Sequence, residues 1–205
     1  MRGYLLVEGH GEVEAAHNLV SRLAPENGLF IPWCKPLRWP NLHQWEPPPG
    51  GRGGVRAGVE FVRQRRDAAA LLILRDEDDG CPRDLAPRVA GRIRGLNAPF
   101  PVAYVLLHPE YEVLFLPCLE YMGFPAWDRE SWEARRGIKE WLSKQLPPGR
   151  RYKPTVDQLP FTQRIDFDIV RRAGVPCFGS LERGLRFLAE HRGQGGAVYP
   201  PTQTV

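Results

Sequence analysis

The chain has 205 residues, 42% of them apolar and 25% charged, enough to bury one good core and to make a single domain the default expectation. Its formal net charge of +4 permits a polyanionic partner without demanding one. Cys34, Cys81, Cys118 and Cys177 are far apart with no CxxC pair, which excludes zinc-finger spacing and argues against a disulfide framework. No basic-then-apolar leader precedes the first strand pattern, and no apolar segment approaches the roughly 20 residues of a membrane span. A reduced, cytoplasmic protein with no membrane contact is the expectation.

Residues 4–7 form a compact apolar run that ends at Glu8-Gly9-His10-Gly11. Beyond Glu12, residues Val13, Ala16, Leu19, Val20 and Leu23 recur at helical spacing until Asn27-Gly28 closes the pattern. A strand, a glycine turn and a helix make the first half of a βαβ unit. Residues 29–33 read as a second strand. Residues 34–54 are rich in Pro, Gly and Trp, resist regular assignment and are long for a loop, so they form either a functional lid or a poorly ordered excursion. A helix over 55–66 and a buried strand over 68–74 follow. Pro82 opens another helix, on which Leu85, Val89 and Ile93 make an apolar stripe. Residues 101–107 form a further buried strand and 110–122 a helix that Pro117 kinks or ends.

This alternation predicts an α/β fold, a mainly parallel sheet flanked by helices, over residues 1–122. Past Gly123 the pattern turns helical. A polar helix over 130–146 carries Trp132, Lys139 and Trp141, and helices near 155–173 and 181–192 complete a C-terminal extension over 123–192. Residues 193–205 read as a disordered tail.

The chemistry concentrates where strands end in acid. Residues 71–82, LLILRDEDDGCP, pass from a buried apolar run into Asp76, Glu77, Asp78 and Asp79. Glu8 ends the first strand, and Glu110 and Glu112 follow the fourth. Ligands of parallel α/β sheets bind outside the carboxyl ends of the strands. Residues two apart in an extended stretch share a face, so Asp76 and Asp78 are expected to act together while Glu77 turns away and Asp79 caps the next helix. A hard cation such as Mg²⁺, which takes carboxylate oxygens and water, would balance the charge. Two such ions clamp both oxygens of a phosphoryl transfer. An isolated acidic strand end is as readily a solvated loop, and Glu8 and Glu12 at the neighbouring strand are what favour a site. His10 and His108 read as surface or capping residues, Cys81 as a buried free thiol, and Trp39 and Trp45 as core cover rather than base-stacking groups.

Val7-Glu8-Gly9-His10-Gly11-Glu12, followed by Arg75-Asp76-Glu77-Asp78-Asp79-Gly80-Cys81-Pro82, resembles the two signature blocks of the Toprim fold. The match is nearest to the small stand-alone Toprim-like family DUF4276, related to the nuclease domains of OLD-family proteins. Glu110–Leu116, Tyr152-Lys153-Pro154 and Pro176-Cys177-Phe178 are similar to that family's later blocks. Gly11 stands where the family has Thr or Ser, and Val113-Leu114 where a Trp is common. The resemblance implies a Mg²⁺- or Mn²⁺-dependent phosphodiester nuclease. Glu8 would be catalytic and a metal ligand, and Glu12, Asp76, Asp78 and Glu112 the other ligands. Lys153 would steady the phosphate, with Arg150 and Arg151 binding the substrate. It also implies a nucleic-acid substrate, DNA before RNA, and a partner ATPase of a mobile or anti-phage system. A non-catalytic metal-binding regulatory subunit and a metal-dependent phosphatase are the alternatives. The resemblance requires Glu8, Asp76 and Asp78 to converge on one cation.

Overall fold

Three apolar runs become the centre of a five-stranded sheet in the computed structural model, which describes residues 1–127, 132 and 136–201. β1 (Arg2–Val7), β3 (Ala68–Asp76) and β4 (Val102–Leu107) lie side by side, and two short strands, β2 (Leu37–Arg38) and β5 (Val198–Tyr199), complete the order β2-β1-β3-β4-β5. Every pairing is parallel. A parallel sheet covered on both faces demands continuous apolar strands, and all six residues of β4 are buried.

Strand periodicity divides the core into two layers. Leu5, Val7, Leu72, Leu74, Val105 and Leu107 face the larger layer. That layer holds α1 (Glu12–Glu26), a 3-10 helix (Tyr111–Cys118), α4 (Ile138–Gln145), α5 (Pro154–Gln163), α6 (Phe167–Ala173) and α7 (Pro176–Glu190). Leu6, Leu71, Ile73, Tyr104 and Leu106 face the smaller layer, under α2 (Val55–Arg63) and α3 (Pro82–Arg94). No helix among the described residues is long and apolar enough to cross a membrane.

Several local expectations give way to tertiary context. Residues 29–33 contribute only a bridge from Trp33 to Gly3, and the edge strand forms later, at Leu37–Arg38. The 34–54 excursion is ordered cover: Trp39 Nε1 donates to Gly54 O at 2.9 Å and its ring lies 5.2 Å from that of Phe61, while Arg92 stacks over Trp45. The segment after β4 is a 3-10 helix with all eight residues buried, hydrophobic all round rather than on one stripe. The 155–173 pattern divides at Asp166, whose carboxylate accepts from the N–H groups of Asp168 and Ile169 and starts α6. Most of the expected 130–137 turns of the polar helix lie outside the described residues. The expectation of disorder from 193 onward fails at Val198–Tyr199, which are buried and extend the sheet beside β4.

Candidate functional site

The strand order 2-1-3-4-5 reverses direction of winding between β1 and β3, and the crevice outside the carboxyl ends of those two strands is where such sheets bind ligands. Asp76 is the last residue of β3. Its parity with Leu72 and Leu74 turns it toward the larger layer, onto the side that carries α1, the 3-10 helix and α4. There it meets Glu12 of α1, Glu112 of the 3-10 helix, Glu110 just before it, and Lys139 of α4.

Glu12 is folded back over the turn that precedes it. Its Oε2 accepts from Glu8 N at 3.3 Å, and the Gly9 N–H also points to it. Two glycines make this possible. A Cβ on Gly9 would stand 2.5 Å from Glu12 Oε1, and one on Gly11 would stand 2.6 Å from the Pro154 carbonyl at the start of α5. Gly11 is therefore required by the close approach of α5 rather than missing a Thr or Ser hydroxyl. Glu112 is fully buried, and its Oε1 accepts from Tyr152 Oη at 3.0 Å and from Gln158 Nε2 at 3.3 Å. Lys139 Nζ lies 2.7 Å from Glu110 Oε2 and 3.4 Å from Glu112 Oε2.

The electrostatics are those of an acid cluster short of positive charge. Burial first, then the charges of Glu12 and Glu112, hold the Asp76 carboxyl well above the usual carboxylate range. Burial also raises Glu12, against the pull of its backbone donors. Glu112 is pushed up to about 7 by burial, with Lys139 opposing and Glu110 reinforcing the rise. Burial works against charge on Lys139, but Glu112 and Glu110 outweigh it and raise its pKa. Asp76 Oδ1 is shielded from solvent and accepts no hydrogen bond, and Glu112 Oε2, equally shielded, has only the Lys139 ammonium at 3.4 Å. Such an orphan is uncommon in native interiors and needs a reason.

Not every expected residue joins this group. β3 stops at Asp76, so the two-residue alternation does not carry on to Asp78, which is exposed. Glu77 turns away from Asp76 as expected, and it is buried. It pairs with Arg75, accepts from Gly80 N at 2.8 Å, and donates from its own N–H to Leu107 O. Burial opposes ionisation of Glu77, but the Gly80 N–H and Arg75 prevail and hold its pKa low. Glu77 thus builds the turn into α3 that Asp79 was expected to cap; Cys81 is the cap position, and it is exposed rather than buried. Glu8 lies one residue beyond β1, and its Oε1 is 3.0 Å from His43 Nδ1, so Glu8, Asp76 and Asp78 do not converge on one cation as the resemblance requires. His10 is exposed, and His108 Nδ1 hydrogen-bonds with Glu77 O.

Lys153 is exposed and starts α5, its N–H donating to Asp157 Oδ2 at 2.8 Å. Arg150 pairs with the same Asp157, and Arg151 is exposed. These residues organise the start of α5; the lysine that touches the acid cluster is Lys139. Sequence reasoning placed Lys139 only on a polar helix, and no motif marked it. His43 likewise sat unmarked in the 34–54 excursion.

No family model, curated protein or solved structure matches the chain. Among the described residues, no three His, Cys, Asp or Glu side chains stand grouped as a ready-made metal site. The donor set nonetheless suits a hard cation: oxygen ligands only, with Asp76 Oδ1 unpartnered, and the half-buried Asp76 and buried Glu12 and Glu112 under the charge of one lysine.

Proposed function

We propose that this chain is a divalent-metal-dependent phosphodiester nuclease, and that Asp76, Glu12 and Glu112, rather than the Glu8, Asp76 and Asp78 set that the Toprim resemblance requires, are the residues that would hold Mg²⁺ or Mn²⁺. The observation that carries the reading is Asp76, with one buried, unpartnered oxygen among like charges at the switch point of the sheet. A carboxylate kept under that stress serves binding better than stability. When bound, such an ion polarises a phosphoryl oxygen and lowers the pKa of a coordinated water.

The chain's own groups have separable tasks. The N–H groups of Glu8 and Gly9 fix the direction of Glu12, while Tyr152 and Gln158 fix that of Glu112 and leave its second oxygen to Lys139. Lys139 limits the repulsion between Glu110 and Glu112, and lies where it can also meet a phosphate oxygen at the crevice mouth. Glu8 and His43 form a carboxylate–imidazole pair able to hold or pass a proton. The resemblance of the β1 and β3 blocks adds DNA as the substrate and a partner ATPase.

One feature supports a second reading. Lys139 already supplies a counter-charge at 2.7 Å from Glu110, as a non-catalytic binding subunit would need. A plasmid assay separates the two. Purified protein with Mn²⁺ should nick supercoiled DNA, and Asp76→Ala should abolish nicking while the protein stays folded by circular dichroism. Nicking that survives Asp76→Ala, or none with any divalent ion, would overturn the nuclease reading; turnover of a simple phosphate ester without cutting would make the chain a phosphatase.

A further inference from the structure

The acid cluster by itself repels a phosphodiester, so a nuclease needs positive surface beside it. A cleft of about 730 Å³ opens next to the cluster, between α3, α6 and α7 at the carboxyl end of β4. Its size is within the range of small-molecule and cofactor sites. Ala86, Pro87, Leu106 and Val175 give it an apolar wall, and Arg83 on α3 and Arg183 on α7 stand exposed at its rim. Arg183 is anchored: its Nε donates to Tyr199 Oη at 3.3 Å, and its Nη1 lies folded over Gly179 along the cleft wall. The third arginine of the lining, Arg171, is occupied by Glu26, Asp168 and Glu182, so the one carboxylate in the lining, Glu182, is already balanced.

The cleft and the cluster share a wall. His108, which lines the cleft, hydrogen-bonds with the carbonyl of Glu77, the residue next to Asp76. An occupant of the cleft therefore lies beside the carboxylates rather than across the molecule from them.

We propose that this cleft is a mononucleotide subsite, taking a base and sugar against its apolar wall and a phosphate between Arg83 and Arg183. The assignment rests on the nuclease reading for its choice of nucleotide, and it makes the substrate one nucleotide of a strand held beside Asp76. The probes are AMP, adenosine and inorganic phosphate, titrated into the whole protein in EDTA by calorimetry. AMP should bind at least about tenfold more tightly than either adenosine or phosphate. Arg83→Gln and Arg183→Gln should each weaken AMP about tenfold, the scale of one charge-assisted hydrogen bond. AMP binding no tighter than adenosine, or unmoved by both substitutions, overturns the subsite; phosphate binding as tightly as AMP overturns its nucleotide part. The two readings fail separately. Mn²⁺-dependent nicking without AMP binding removes the subsite and spares the nuclease, whereas arginine-dependent AMP binding without nicking does the reverse.

Discussion

Replacing Asp76 with Asn should stabilise the metal-free protein while abolishing the Mn²⁺-dependent nicking that the proposed function expects. Two like charges about 6 Å apart repel by about 3 kcal/mol at an effective dielectric constant of about 20. Asp76 feels the charges of Glu12 and Glu112, and Lys139 offsets part of them. Partial protonation relieves some of the remainder, because coupled carboxyls share their protons. A gain of about 2 kcal/mol is the expectation, which for a chain of this length is roughly 4–8 °C in Tm. The sign follows from linkage. Asp76, Glu12 and Glu112 are all raised in the folded state, so their contribution is favourable below the unfolded carboxylate pKa near 4.5 and is lost as pH climbs through about 7, where Glu112 titrates. Thermal melts in EDTA should therefore show a large gain for Asp76→Asn at pH 8 and a clearly smaller one at pH 4, close to the ordinary aspartate value of 3.8. Added Mn²⁺ should raise the Tm of the native chain at pH 8 and leave that of the variant unmoved. A variant that melts below the native protein at pH 8, or gains equally at both pH values, would refute the claim that this cluster is held under repulsion.

Three further outcomes test the frame around the site. Lys139→Met should cost about 1–3 kcal/mol at pH 8 by urea unfolding, discounted from a fully buried pair because Lys139 is about a third exposed, and the cost should shrink at pH 5 as Glu112 takes up a proton. Gly11→Ala should lose about 1–3 kcal/mol despite alanine's better helix propensity, since its methyl would strike the Pro154 backbone at 2.6 Å; a neutral or stabilising result would mean that α5 is free to shift. Ending the chain at Gly196 should cost about 2–4 kcal/mol, read from thermal melts, because Val198 and Tyr199 are buried against β4.

The central sheet was legible because β1, β3 and β4 are buried on both faces, and that burial writes an unbroken apolar run into the sequence. β2 and β5 were not, since two residues are too few to show any period; the pairing of Val198–Tyr199 is decided by β4 and by α7 beneath it. Asp76 could be read from its place at a strand end. Its partnership with Asp78 could not, because the alternation rule holds only while the strand lasts, and the Arg75–Glu77 pair turns the chain one residue later. Lys139 escaped notice for a different reason. A single lysine on a polar helix carries no local signal, and its position beside Glu110 and Glu112 follows from packing alone.

The hydrogen bonds on Glu112 set an order in time. The carboxylate arrives at position 112, yet the lysine that balances it comes 27 residues later and the side chains that orient it come at positions 152 and 158. Gly11, meanwhile, waits for Pro154 to close against it. By position 112 a ribosome has made every acid of the cluster and the turn that aims Glu12, but neither the lysine that neutralises Glu110 and Glu112 nor the side chains that aim Glu112. A product that ends before position 152 carries the acids without the side chains that aim Glu112.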